Sequence, residues 1–241
     1  MESSFFGPEA WFPLARALGA YRGGEEDAVL TIHSDAGGSE AMPVSVFFRG
    51  RGDLRRVERE ALTLCRGRIL DVGAGPGALS LLLQEDGRDV MALEVIPEAV
   101  EILRSRGVEK VMEGRLQDLE GSGAYDTLLL LMNGASLAGT LAGFPRLLAT
   151  CARLLAPGGR LLVDSTDLRA RMAGGGGGRG AYELHYQLEF RGERGAPFPQ
   201  LYLDPGSLLE AAVGEGWTGA VVCRGEAGEY LARLSPKPRR P

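Results

Sequence analysis

The sequence predicts an α/β fold built on a mostly parallel sheet. Three observations carry that expectation. Strand and helix patterns alternate from Arg68 to Asp164. The first of these strands runs into the glycine-rich turn Gly73-Ala-Gly-Pro-Gly77. Asp126 to Met132 is nearly all leucine, as a strand covered on both faces should be. A length of 241 residues and a hydrophobic content of 44% suit one such domain with a modest extension.

Taken in order, Pro8 to Tyr21 has Trp11, Leu14, Leu18 and Tyr21 at helical spacing. Ala28 to Ser34 and Pro43 to Phe48 read as strands around the turn Asp35-Ala-Gly-Gly38. Asp53 is placed to cap a helix running to about Cys65. The alternating part then gives strand Arg68 to Val72, helix Gly77 to Glu85, strand Asp89 to Glu94 and a helix opened by Pro97. Strands follow at Val108 to Met112 and Asp126 to Met132, then helix Phe144 to Leu155 and strand Arg160 to Asp164. Gly174 to Gly178 is an unbroken glycine run, which reads as a mobile loop able to act as a hinge. Tyr182 to Arg191 alternates apolar and polar residues and is expected to pair with Phe198 to Leu203 as a hairpin. Asp204 and Pro205 open a helix, and Trp217 to Cys223 and Glu229 to Leu234 form a closing strand pair.

Several function classes fit poorly. The net charge is -5, and the only basic cluster is the tail Lys237 to Arg240, so no nucleic-acid partner is expected. No run of about 18 apolar residues suggests a membrane span. Met1 to Ala10 carries Glu2 and Glu9 and no basic stretch, so no secretion signal is expected. Cys65, Cys151 and Cys223 read as core thiols of a cytoplasmic protein. His33 and His185 are the only histidines, which argues against a histidine-based metal site. Monomer and homodimer both remain open.

Chemistry concentrates in Ile69-Leu-Asp-Val-Gly-Ala-Gly-Pro-Gly77. An apolar strand ending in such a turn lets a ligand approach the backbone and aims helix N–H groups at it. Glu94 ends the next strand, where an acid can accept ribose hydroxyls. The two features point to an adenosine-containing ligand. The glycines alone also fit a dinucleotide. Asp71 bears on that choice: a carboxylate opposes a pyrophosphate but attracts an ammonium group, by roughly 4 kcal/mol at ~4 Å before desolvation. A purely structural buried Asp is the other reading of this residue.

Asp71-x-Gly73-x-Gly75-x-Gly77, Glu94, Asp126-Thr-Leu-Leu-Leu-Leu-Met132 and Leu155-Ala-Pro-Gly-Gly-Arg-Leu-Leu-Val163 together resemble the class I S-adenosylmethionine (SAM)-dependent methyltransferases. The likeness spans about residues 52–234. Phe47-Phe-Arg49, Met132-Asn-Gly-Ala-Ser-Leu-Ala-Gly139 and Asp164-Ser-Thr-Asp167 are similar to stand-alone bacterial proteins of this class. The resemblance implies a Rossmann-like, doubly wound seven-stranded sheet whose last strand is antiparallel. Residues 1–51 are then an N-terminal extension, a candidate lid, and 52–241 the catalytic domain with a hairpin inserted at about 180–203. It also implies SAM as cofactor and S-adenosylhomocysteine (SAH) as product. Gly73, Ala74, Gly75 and Gly77 would cradle the methionine portion, Asp71 its amino group and Glu94 the ribose, with Val95 against the adenine. Leu116, Met132 and Asn133 join the cofactor side by the same resemblance, although Met132 also reads as core filler. Many relatives carry an acid after the third strand's glycine. Here Gly114 is followed by Arg115, so either Arg115 stacks on the purine or Asp118 substitutes.

Methyl transfer from a sulfonium is a direct displacement, in which positioning alone supplies ~7–11 kcal/mol, and no fixed catalytic triad is expected. Asn133, His33 and Tyr186 are the catalytic candidates. Asn133 is also readable as a turn residue, and His33 as a partly buried strand residue. Arg49 is placed to pair the cofactor's carboxylate, or is a surface loop residue. Phe48, Tyr182, Tyr186 and Tyr202 are the acceptor-side candidates. The leading expectation is transfer to oxygen, nitrogen or sulfur of a small molecule. The alternatives are a protein or RNA methyltransferase acting with a partner, and a non-catalytic SAM- or NAD-binding module.

Overall fold

Residues 7–169 and 180–238 are described by a computed structural model. The glycine run 174–178, its expected role as a hinge, and the tail beyond residue 238 lie outside the described residues.

Strand β3 (Arg68–Val72) lies inside a seven-stranded sheet because both of its faces are apolar. Leu70 packs with one core cluster and Ile69 with another. It is flanked by β4 (Asp89–Glu94) and β6 (Tyr125–Leu130), with β5 (Val111–Glu113) and β7 (Leu155–Thr166) beyond them, all parallel. The closing strands β11 (Trp217–Arg224) and β12 (Glu229–Pro236) complete the order β11-β12-β7-β6-β3-β4-β5. β12 runs antiparallel to β7, so the expected doubly wound, mostly parallel sheet with an antiparallel last strand is the observed one. Helices α2 (Arg56–Leu64) and α3 (Ala78–Glu85) cover one face, bringing Val57, Ala61 and Leu83 onto Ile69, Leu129 and Leu162. Helices α5 (Phe144–Leu154) and α6 (Pro205–Gly214) cover the other, with Leu148 and Leu208 against Leu128 and Leu161. Among the described residues no helix is long and apolar enough to cross a membrane.

The N-terminal extension and the hairpin are one structure. β1 (Val29–Ser34) pairs with β8 (Ala181–Phe190), matching Ile32 with Leu188. With β2 (Ser39–Pro43) and β10 (Phe198–Leu203) they form an antiparallel sheet in the order β10-β8-β1-β2, to which the short β9 (Glu193–Arg194) adds on β8. Helix α1 (Pro8–Arg22) and helix α4 (Pro97–Ser105) share its core: Leu18, Leu30, Ile102, Leu188 and Phe198 belong to one buried cluster.

Local details differ from the sequence expectation. Residues 43–48 are not a strand: β2 ends at Pro43, which has no N–H for the ladder, and Val44–Phe48 is a 3-10 turn. Asp53 does not cap α2, which starts at Arg56. The Glu58 carboxylate takes the capping task by accepting from the Arg55 backbone N–H at 2.9 Å, while Asp53 accepts from Gly50 N. Val108 precedes β5 and is buried against Leu103 instead. β7 begins five residues early, because Ala156 to Gly159 bulges between two paired stretches.

Gly77 explains how α3 sits so close to α4. Its φ is +89°, and a Cβ there would lie 2.7 Å from Leu103 Cδ2 and 3.1 Å from Val108 Cγ2. Leu103 is fully buried and has nowhere to move. Gly77→Ala is therefore expected to lower stability by about 1–3 kcal/mol, read as a lower urea midpoint; an unchanged midpoint would show that α3 can slide off its neighbour.

Candidate active site

A cavity of about 320 Å3 opens at the carboxyl ends of β3, β4 and β6, under the antiparallel sheet. In a doubly wound sheet, ligands bind where the strand order reverses, and β3 and β6 are the neighbours at that point. The floor is the glycine turn. Gly73 (φ +71°) and Gly75 (φ +55°) line the cavity, and a Cβ on either would meet no protein atom within 4 Å. These two glycines thus keep space for a ligand, whereas Gly77 keeps space for a helix.

Two acids border the floor. Asp71 is buried and accepts from Ser80 Oγ at 2.6 Å. Burial pushes its carboxyl up to about 6; Ser80 opposes the shift, Glu94 adds to it, and Arg49 opposes it. Glu94 is buried too. Its Oε2 accepts from Gly75 N at 2.7 Å, and its Oε1 from Val95 N and Ile96 N at 2.7 and 2.8 Å. Burial raises its pKa against the lowering by these backbone donors. A carboxylate offers about four acceptor positions, so Glu94 keeps one beyond its three backbone bonds.

Beyond β6 the chain is strained. Met132 (φ +64°) and Asn133 (φ +62°) both adopt the left-handed region, at a cost on the order of 1–3 kcal/mol each. Neighbours hold them there. Asp164 Oδ1 accepts from Gly134 N at 2.7 Å, and Ser165 Oγ donates to Asn133 Oδ1 at 3.1 Å. Asn133 Nδ2 donates to Gln200 Oε1 and to the Leu201 carbonyl, each at 3.2 Å. Asp164 is fully enclosed, and burial pushes its carboxyl up to about 6 against the Gly134 hydrogen bond.

Arg49 is not a surface loop residue: its side chain is largely buried and lines the cavity. Its guanidinium grips Glu58 through Nη2–Oε1 at 2.5 Å and Nε–Oε2 at 3.2 Å, and Nη1 lies 3.7 Å from Met132 Sδ. Arg55 binds the same Glu58 Oε1 at 2.7 Å. Burial pushes the Glu58 carboxyl up, but the two guanidiniums outweigh it and hold it below the usual range. This cluster anchors the segment between β2 and α2 beneath the cavity wall.

Strands β1, β2, β8 and β10 of the antiparallel sheet supply the roof. Ile32, Met42, Tyr186, Phe198, Gln200 and Tyr202 face the cavity, with Trp11 and Leu14 of α1 closing one side. The Tyr186 and Tyr202 hydroxyls are 2.8 Å apart, and the Trp11 and Phe198 ring centroids 4.8 Å.

Of the residues singled out from sequence, Arg49, Asp71, Gly73, Ala74, Gly75, Glu94, Val95, Met132, Asn133, Tyr186 and Tyr202 line this cavity. His33 does not: it alternates with Ile32 on β1, points away, and its Nε2 lies 2.9 Å from Glu189 Oε2. Phe48 stacks on Tyr21 with centroids 4.5 Å apart, and Phe47 lines the cavity in its place. Leu116 is buried in the core, and neither it nor Arg115 nor Tyr182 is among the lining residues. Met132 is not core filler, being exposed at the cavity edge. Glu58 was missed although its partners Arg49 and Arg55 are near in the chain, Asp164 and Ser165 were seen only within the Asp164-Ser-Thr-Asp167 likeness, and Gln200 acts through a partner distant in the chain. The face shared by Phe198, Gln200 and Tyr202 was the one local signal for the last of them.

Residues 69–159 match the family described as "Methyltransferase domain". A solved SAM-dependent methyltransferase from Bacteroides fragilis, in complex with SAH, is 32% identical with a TM-score of 0.87; the alignment covers 97% of this chain and 98% of that one. "Ubiquinone biosynthesis O-methyltransferase" of Xanthomonas oryzae pv. oryzae is 32% identical over 113 residues, 44% of this chain and 46% of that protein. "Cypemycin N-terminal methyltransferase" of a Streptomyces species is 30% identical over 114 residues, 46% of each chain. The chain thus spans a little under half the length of these curated relatives. The cavity floor brings together two buried acids, Asp71 and Glu94, and two glycines, Gly73 and Gly75, that leave open space beside them. With a relative matched over almost its whole length, the chain belongs to the class I, Rossmann-like SAM-dependent methyltransferases, with SAM as its methyl donor.

Proposed function

We propose that this methyltransferase acts on an oxygen, nitrogen or sulfur of a small molecule held beneath the four-stranded roof. One observation carries the proposal: a single cavity runs from Asp71 and Glu94 to Trp11, Tyr186 and Tyr202. Donor and acceptor therefore share one walled space, of the size class that takes small ligands. Bound SAM would supply a sulfonium methyl group whose carbon a lone pair of the acceptor attacks, the C–S bond breaking so that SAH leaves as the neutral thioether.

The residues of the chain then do positional work. Asp71 orients the α-ammonium group of the cofactor, while Gly73 and Gly75 allow its close approach. Glu94 takes a ribose hydroxyl at its remaining acceptor position, and Val95 borders the adenine. The strained Met132–Asn133 turn forms the wall beside the reacting centre. Asn133 contributes as a clamp, because its amide is committed to Ser165, Gln200 and Leu201.

The acceptor proposal is tested by incubating the protein with methyl-labelled SAM and a size-fractionated cell extract. Label is expected in the fraction below ~1 kDa, and Met42→Trp, which fills the roof end, is expected to abolish it while SAH still binds. Label confined to protein or RNA would overturn the proposal.

The Glu94 role predicts that Glu94→Ala weakens SAH binding by about 1.5–3 kcal/mol, the range for hydrogen bonds to a charged group. Calorimetry on the folded variant checks this, and unchanged affinity would place the ribose elsewhere.

The Asp71 role predicts a pH dependence. The free protein's carboxyl titrates at about 6, and an ammonium partner pulls it lower in the complex. Binding therefore requires loss of the proton when the pH is below 6. SAH affinity should fall as pH drops through 6, by up to tenfold per unit, and level off above ~7. Asp71→Asn is expected to remove most of that slope; a full slope in the variant would assign it to another group.

A further inference from the structure

The roof contains a polar feature that the cofactor does not use. Across β8 and β10, the inward side chains are apolar except for Tyr186, Gln200 and Tyr202. Gln200 is tied by its amide oxygen to Asn133, on the donor side. Tyr186 and Tyr202 are tied to each other, with hydroxyl oxygens 2.8 Å apart and ring planes inclined by 52°. A phenolic hydroxyl donates one proton and accepts through its lone pairs. Whichever of the two donates, Tyr186 Oη keeps at least one lone pair beyond that bond. Hydrogen bonds in such a chain polarise one another, more so in an apolar surround.

That surround is present. The Trp11 and Phe198 rings form an adjoining wall, with Ile32 and Leu188 beside them. Among the described residues, the charged groups lining the cavity are Arg49, Asp71 and Glu94. The first is paired with Glu58, and the two acids sit at the strand ends of the floor. A charged acceptor entering the roof end would lose its hydration against aromatic and aliphatic walls. An uncharged ring would lose little, and one oxygen on it would extend the hydroxyl chain.

Resting on the small-molecule reading above, we propose that the Tyr186–Tyr202 hydroxyl pair is the polar anchor of the acceptor site. Its ligand is an uncharged aromatic molecule bearing a hydrogen-bonding oxygen. The pair sets which molecule binds and how it is turned toward the methyl group; it takes no part in bond making.

The test uses the full chain loaded with SAH and two probes of equal shape, 2-naphthol and 2-methylnaphthalene, whose dissociation constants are measured by equilibrium dialysis. Wild type is expected to prefer 2-naphthol about tenfold, as one net hydrogen bond implies. Tyr186→Phe with Tyr202→Phe should bring the two probes within about twofold of each other, with SAH affinity unchanged. Tyr202→Phe alone, a smaller perturbation, should give an intermediate preference. A tenfold preference that survives in the double variant would overturn the anchor. So would failure of both probes to bind wild type that still binds SAH. Failure to bind SAH at all would instead strike at the cofactor site beneath.

Discussion

The Glu94 carboxylate is the point on which the site depends. Through Gly75 N it pins the turn after β3, and through Val95 N and Ile96 N it shapes the chain leaving β4. A left-handed glycine turn has no side chains to hold its form, and flexibility is the cost of its openness. One buried acid removes much of that freedom by fixing the turn to a strand end. Because the acid is enclosed, its bonds act in a weakly screening medium and its loss would leave three backbone donors facing an apolar wall. The same residue builds the floor and, under the proposed function, offers the ribose contact, which couples binding to local order at this position.

A second constraint links floor to roof. Asn133 follows β6, and its amide reaches Ser165 on β7 and Gln200 and Leu201 on β10. Leu203 N also donates to Ser165 Oγ, at 3.1 Å. β10 is thereby held at a fixed height above the Met132–Asn133 turn. The left-handed backbone at Met132 and Asn133 is the strain that this cross-linking maintains. Methyl displacement is sensitive to the separation of its reacting atoms, so spending strain on a fixed spacing is consistent with the chemistry.

The sequence displays the floor far better than the roof, for a physical reason. Asp71, Gly73, Gly75 and Glu94 sit at strand ends within one contiguous βαβ stretch, and local pattern reveals such units. The pairing of Ile32 with Leu188 joins segments more than 150 residues apart in the chain. Nothing in either strand alone names its partner, which is why the extension and hairpin read as separate pieces. The same holds for Arg49, whose partner Glu58 is hidden behind a strand expectation that Pro43 breaks. His33 and Phe48 were each one position away from the lining residues Ile32 and Phe47. In a strand or tight turn, one position is the difference between the two faces.

The methyltransferase-domain match and the roof occupy different parts of the chain, although the Bacteroides fragilis protein matches both. The methyltransferase-domain match covers residues 69–159, which hold β3 to β6, the glycine turn, Glu94 and the Met132–Asn133 turn. α1, β1, β2, β8 and β10 all lie outside it. Two relatives of nearly equal identity carry names for different acceptors, a ubiquinone precursor route in one and a cypemycin N-terminus in the other. A shared floor is compatible with that difference, because it need only present a methyl group. Discrimination has to come from groups that touch the acceptor, which under the proposed function are carried by a roof assembled from chain on both sides of residues 69–159. Leu201 and Leu203, on the face of β10 opposite Phe198, Gln200 and Tyr202, seat that strand in the main core.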